Sequence, residues 1–192
     1  MLRRDVLGGV LLLLASALAP RRAEALGGPL PDLDQAAPPF RLDGVAPVAG
    51  SHGSDVRKVH LELDDFRGRW LLLYFYPEDF TEGCTLEARG FQRDLEEFHG
   101  RDAEVVGVSA DDGEAHASFC GSEGLSYPLL SDPRGEVSRR YGSWLAPFSL
   151  RHSFLIDPEG VLRARWTAVR PAAHSREVLA ELDRLRAGAS TA

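Results

Sequence analysis

The sequence predicts an α/β fold, a central mixed sheet flanked by helices. Three observations carry this. Residues 70–76 form an unbroken apolar and aromatic run, the pattern of a strand buried on both faces. From residue 59 onward, stretches patterned as strands alternate with stretches patterned as helices. Late in the chain, two strand-like stretches flank Asp157-Pro158-Glu159-Gly160, a good hairpin turn.

Taken in order, Val59-His60-Leu61-Glu62-Leu63 alternates apolar and polar residues, as a half-buried strand does. The buried strand 70–76 follows. Over 85–99, Phe91, Leu95 and Phe98 fall at i, i+4 and i+7, and Gly100 follows as a stop, so one helix is expected. Residues 104–109 are a short β-branched run. Residues 112–123 read as a helix stopped by Gly124, and 132–141 as a short helix. Strands over 153–156 and 161–166 make the hairpin, and an amphipathic helix over 175–186 closes the chain. Residues 26–39, rich in Gly, Pro and Ala, are expected to be a linker, and 44–54 a second loop of similar composition. One domain over 40–188 is expected, without internal repeats.

The 192 residues suffice for one core, and 44% hydrophobic with 27% charged residues is ordinary globular composition. A net charge of −7 argues against a nucleic-acid partner, whose phosphates call for a basic face. The first 25 residues differ from the rest. Arg3 and Arg4 precede an uncharged apolar run over 6–19, and Ala23-Glu24-Ala25 has the small-x-small form of a cleavage site. The run is shorter than the roughly 20 residues of a spanning helix. Residues 1–25 are therefore expected to be a signal peptide. Arg3-Arg4-Asp5-Val6-Leu7 resembles a twin-arginine signal, with an ordinary Sec signal as the alternative. The expectation is an exported, periplasmic protein with no membrane attachment once processed; an uncleaved anchor or a thylakoid lumen destination are the alternatives.

The chain has two cysteines, Cys84 and Cys120. In an exported protein, an even count suggests a static bridge. The surroundings of Cys84 point elsewhere. The buried strand runs into Pro77, which cannot continue a central ladder. A short loop leads to a helix expected to start near Cys84. A cysteine in a first helical turn faces unpaired N–H groups and the positive end of the helix dipole, which favour a thiolate. Thr81, three residues earlier, can bring its hydroxyl near the sulfur. A thiolate is the form that attacks an O–O bond.

At these residues the sequence resembles the peroxiredoxins. Pro77-x-x-x-Thr81-x-x-Cys84 matches their active-site pattern. Gly83-Cys84-Thr85-x-Glu87, with Tyr74-Phe75-Tyr76-Pro77, looks like the Q-type branch, also called bacterioferritin comigratory proteins. Tyr127-Pro128-Leu129-Leu130-Ser131-Asp132, Arg151-His152-Ser153-Phe154-Leu155-Ile156-Asp157, and the stretches from Trp166 to His174 and at Glu177-Val178-Leu179 have counterparts in the same order, so the resemblance covers residues 33–186. It implies a thioredoxin-like fold and a thiol peroxidase acting on hydrogen peroxide and organic hydroperoxides. Cys84 would be the peroxidatic cysteine. Thr81 would hydrogen-bond the incoming peroxide and the thiolate. Arg151 would bring a fixed positive charge to the pocket, stabilising the thiolate and the charge spreading over two oxygens. Pro77 would shield the sulfur from water. Glu87 would pair with an arginine or cap the helix.

The sequence departs from the commonest Q-type pattern, since the position five residues after Cys84, where many members carry a second cysteine, is Arg89. Cys120 lies in the helix where some members keep a resolving cysteine, and others have none. Resolution by Cys120 and a one-cysteine mechanism both stand at this point, as does a static or unused thiol. A thioredoxin-type oxidoreductase would need Cys-x-x-Cys, and residue 87 is Glu. A non-catalytic thioredoxin-fold module remains a third class. His116 and Cys120 share a helix face at i, i+4, but no second pair follows, so no metal is expected, nor any cofactor. The other histidines are scattered and expected to be solvated or structural. The expected partners are a peroxide and a thioredoxin-like or other thiol reductant, with the protein itself a monomer.

Overall fold

The computed structural model describes residues 24–48, 55–167 and 169–189. In chain order these form β1 (Glu24–Ala25), β2 (Gly28–Pro29), β3 (Arg41–Pro47), β4 (Val56–Glu62), a 3-10 turn (Leu63–Phe66), β5 (Trp70–Phe75), α1 (Glu82–Arg93), α2 (Leu95–His99), β6 (Ala103–Ser109), α3 (Gly113–Glu123), β7 (Leu129–Ser131), α4 (Glu136–Arg140), β8 (Trp144–Leu145), β9 (Phe148–Ser149), β10 (Ser153–Ile156), β11 (Leu162–Trp166) and α5 (His174–Ala189). Seven strands form the main sheet in the order β11-β10-β5-β6-β7-β3-β4. β5, β6 and β7 run parallel, and the strands on either side of them pair antiparallel.

The central strand β5 is buried along its whole length because both faces are covered. Trp70, Leu72, Tyr74 and Tyr76 pack with Phe91 and Phe98 of the α1–α2 segment, Phe119 of α3 and Leu182 of α5. Leu71, Leu73 and Phe75 point the other way, into Phe40, Phe66, Val137 and Tyr141. Each such side chain contributes on the order of 1.5–3 kcal/mol by leaving water. The sheet is thereby packed on both faces in the middle, and the loop at the C-terminal end of β5 hangs from a fully buried strand.

Several expectations are corrected. The helix over 85–99 begins three residues earlier, at Glu82, and breaks at Asp94, whose φ of −100° and ψ of 9° are not helical. The break is fixed by tertiary contacts: the buried Asp94 carboxylate accepts from Arg93, Ser175 and Arg176, tying the chain to α5. The loop over 44–54 is in part a strand, since 44–47 belong to β3; residues 49–54 lie outside the described residues. Gly44 serves close approach rather than turning, because a Cβ there would stand 2.2 Å from the Leu129 carbonyl oxygen of β7. β7 itself and the small β8–β9 hairpin carry no periodic signal in the sequence.

Residues 26–39 connect, as a linker should, but they are packed on the sheet. Asp34 and Ala37 donate to the carbonyls of Leu162 and Gly160, and Leu30 and Ala37 are buried, as is Phe40 just after the segment. The signal segment lies outside the described residues up to position 23, so the apolar run 6–19 does too. Glu24 and Ala25 pair with Pro29 and Gly28. Among the described residues, no helix is long and apolar enough to cross a membrane.

Candidate active site

The site is built where β5 ends. Tyr76 still donates its N–H to the Val108 carbonyl at 3.0 Å, and Pro77 then ends the ladder for want of an N–H. The chain turns through Asp79, whose N–H donates to Asp111 at 3.0 Å. Phe80 follows in the left-handed region, at φ 61°. A non-glycine residue there costs on the order of 1–3 kcal/mol, and the surrounding contacts must hold it. Thr81 is extended and occupies the N-cap position of α1, without a side-chain capping hydrogen bond. Cys84 is thus the third residue of α1, in the turn whose N–H groups have no helical partner. It is buried, with 2% exposure.

Arg151 arrives from the segment just before β10. Its Nη2 donates to Cys84 Sγ at 3.2 Å, and Nη1 donates to the Glu87 carboxylate and, at 3.4 Å, to the Gly83 carbonyl. The guanidinium thus spans Cys84 and Glu87, which stand one turn apart on one face of α1. Gly83 leaves room for it, since a Cβ there would stand 3.0 Å from Nη2. Thr81 lies at the same helix end, but its hydroxyl donates to the Glu78 carbonyl at 3.0 Å. Its lone pairs, rather than its proton, remain for another group. Pro77 is half-buried beside the loop.

Glu87 is fully buried as a side chain. Burial pushes its carboxyl up to about 7, against the opposing pull of Arg151. Its Oε1 has no hydrogen-bond partner and stands 4.0 Å from Nε2 of His174, a fully buried residue that opens α5. His174 Nε2 hydrogen-bonds Ser153 at 2.8 Å. Burial lowers His174 to about 4, so its ring is neutral near pH 7. His174 was expected only as a solvated or structural histidine, and neither spacing nor neighbours in the sequence point to Glu87. Only α5 packing against α1 brings the two together.

Cys120 lies in α3, fully buried, and both cysteines are free thiols. Burial, and to a lesser degree the Asp79 charge, push the Cys120 thiol up to about 12. One turn earlier, His116 is also fully buried; its Nδ1 pairs with Asp79 at 2.8 Å, and Asp79 accepts from the Tyr76 hydroxyl at 2.8 Å. Arg89, where a nearer second cysteine would sit, instead pairs with Glu123 at the end of α3, at 2.5 Å. The structure therefore brings Arg151, Glu87 and Cys84 together. It leaves Cys120 in the neighbouring helix.

The chain is similar to known proteins in sequence and in fold. The model of the AhpC/TSA family matches residues 33–165. Peroxiredoxin Bcp of Bacillus subtilis is 34% identical over 159 residues, which are 79% of this chain and 94% of that protein. The mitochondrial thioredoxin-dependent peroxide reductase of Drosophila melanogaster is 39% identical over 140 residues, 68% of this chain; the match spans only 56% of that longer protein. The solved Xanthomonas campestris peroxiredoxin Q superposes with a TM-score of 0.64 at 34% identity, covering 66% of this chain and 85% of that one. Cysteine-to-serine mutants of that protein have been solved at two positions, as far apart in its sequence as Cys84 and Cys120 are here.

Proposed function

The chain belongs to the AhpC/TSA family, the peroxiredoxins, and from that premise we propose that it is a Q-type thiol peroxidase whose peroxidatic residue is Cys84. The observation that carries the assignment of Cys84 is the Arg151 guanidinium donating to its sulfur at 3.2 Å, at the first turn of α1. A hydroperoxide approaches Cys84 past Pro77. The thiolate attacks one peroxide oxygen and the O–O bond breaks. Cys84 becomes a sulfenic acid, and the other oxygen leaves as water or an alcohol after taking up a proton. Arg151 neutralises negative charge as it passes from sulfur to oxygen. Thr81, with its own proton committed to Glu78, accepts a hydrogen bond from the peroxide O–H. Glu87 holds Arg151 in place.

Cys120 then resolves the sulfenic acid into a Cys84–Cys120 disulfide, and a thioredoxin-like reductant returns both thiols. Both sulfurs are buried in separate helices, so each segment must open for the bond to form. Support for this reading is that Cys120 is the only other thiol of the chain. The protein acts as a monomer in the periplasm, after a signal is removed behind Ala25.

The test is peroxide consumption with a thioredoxin-type reductant, with mass spectrometry after one equivalent of peroxide. Expected are activity that vanishes in Cys84→Ser and a wild-type product lighter by about 2 Da, linked between the two cysteines. Sulfinic acid at Cys84, with Cys120→Ser cycling as fast as wild type, would make this a one-cysteine enzyme. No peroxide turnover would remove the peroxidase reading.

A further inference from the structure

Among the contacts that join the peroxidatic segment to the resolving segment, four bracket the two cysteines in the same order along both. Asp79 pairs with His116 at 2.8 Å. The Phe80 ring meets the Phe119 ring edge-on, with centroids 5.1 Å apart. Arg89 pairs with Glu123 at 2.5 Å, and Gln92 accepts from the Ser126 N–H at 2.7 Å. Cys84 and Cys120 fall inside this series, between the second contact and the third on each side.

The two ends of the seam differ in kind. The Arg89 end is the more open one, with the arginine side chain 65% accessible although that of Glu123 is only 10%, and an ion pair whose cation stands in water contributes little. The Asp79 end is buried: Asp79 is 5% exposed and His116 is fully enclosed, so their hydrogen bond replaces water that neither can reach. The closed state also carries two costs at this end. His116 Nε2 is buried without a partner, and Phe80 sits in the left-handed region with 56% of its surface exposed. Opening gives the imidazole nitrogen to water and frees the backbone of Phe80. The Asp79–His116 contact opposes both.

We propose that the Asp79–His116 pair, backed by Tyr76 and flanked by Phe80–Phe119, is the clasp that holds both cysteine segments folded and so sets the rate at which Cys120 resolves Cys84. The proposal rests on the reading of Cys120 as the resolving thiol. In the resolving step, Cys120 sulfur attacks Cys84 sulfur, the S–S bond forms and the Cys84 S–O bond breaks. The hydroxyl leaves with the Cys120 proton as water. Asp79 and His116 are positioning residues in this scheme: they act on how often the sulfurs can meet. A tight clasp lengthens the life of the sulfenic acid and leaves it open to further oxidation.

The experiment reads opening and chemistry separately. In the Cys84→Ser protein, Cys120 is the single thiol and, being buried, reacts with iodoacetamide only when its segment opens. Asp79→Asn and His116→Gln should each speed that alkylation by about three- to tenfold, the size of one lost hydrogen bond. With Cys84 present, the same substitutions should leave sulfenic acid formation within about twofold of wild type, speed disulfide formation by a similar factor, and lower the yield of sulfinic acid. General destabilisation would instead slow the first step as well. Alkylation and resolution at wild-type rates would overturn the clasp, and so would slower resolution. Arg89→Ala, at the more open end, should change alkylation by less than about twofold; an equal acceleration there would also overturn it. If circular dichroism shows His116→Gln unfolded, Phe80→Ala carries the same test, and an unchanged alkylation rate counts against the clasp. Should wild type form no Cys84–Cys120 disulfide, the reading of Cys120 falls, and the alkylation rates alone decide the clasp.

Discussion

Replacing Glu87 by Gln tests the electrostatics behind Cys84 through the pH dependence of stability. Glu87 and His174 are both buried and stand 4.0 Å apart. Burial raises the Glu87 carboxyl from 4.5 to about 7. The folded protein therefore holds this proton more tightly than the unfolded chain does. The stability it contributes is whole below pH 4.5 and is lost as pH rises through 7. His174 behaves oppositely: burial lowers it from 6.5 to about 4, so its contribution is present above pH 6.5 and is lost as pH falls through 4. Each shift corresponds to about 3 kcal/mol over its full range. Between pH 5 and pH 7 each slope spans about 2 kcal/mol, with opposite sign, and the two nearly cancel. Glu87→Gln removes the descending slope. Its stability relative to wild type should therefore rise by about 2 kcal/mol from pH 5 to pH 7. His174→Gln should show the mirror image. Urea unfolding of the reduced proteins at several pH values, followed by circular dichroism, measures this. If the difference between Glu87→Gln and wild type is the same at both pH values, Glu87 is not protonated in the folded state near neutrality, and the reasoning fails.

Arg151→Lys keeps the charge but loses the fork that spans Cys84 and Glu87, and should slow peroxide reduction at least about tenfold, equivalent to roughly 1.4 kcal/mol of barrier; stopped-flow rates like wild type would show that Arg151 does not serve the sulfur. Gly83→Ala places a methyl group 3.0 Å from Arg151 Nη2, so the guanidinium must shift. Activity should fall several-fold with little change in melting temperature, and full activity would mean that Arg151 has slack at this contact. N-terminal sequencing of the exported protein should begin at Leu26; a cytoplasmic chain that retains Met1 would contradict the signal.

The elements that depend on local rules were legible in the sequence. The run at residues 70–76 is a central strand because seven apolar or aromatic residues in succession leave no polar face. Gly124 ends α3 in the left-handed conformation, as the sequence suggested, and Asp112 caps its start by accepting from Glu114 and Ala115. The 157–160 turn joins β10 to β11. Elements that answer to distant partners were not legible. Gly44 reads as a loop residue until β7 is seen crowding it, and Asp94 reads as helical until α5 supplies Ser175 and Arg176.

The same division holds at the site. By itself the sequence determined that Cys84 follows a buried strand and a proline, and stands in a first helical turn. Those are facts of neighbours along the chain, and they are enough to mark a candidate nucleophile. Tertiary structure alone decided which groups face that sulfur. Arg151 is 67 positions away from Cys84 along the chain, and reaches it because β10 lies beside β5 in the sheet. His174 reaches Glu87 because α5 packs on α1, and His116 reaches Asp79 because α3 lies against the loop after β5. Hydrogen bonds and desolvation act over a few ångströms of space, whatever the separation in sequence, so their partners are set by how sheets and helices pack.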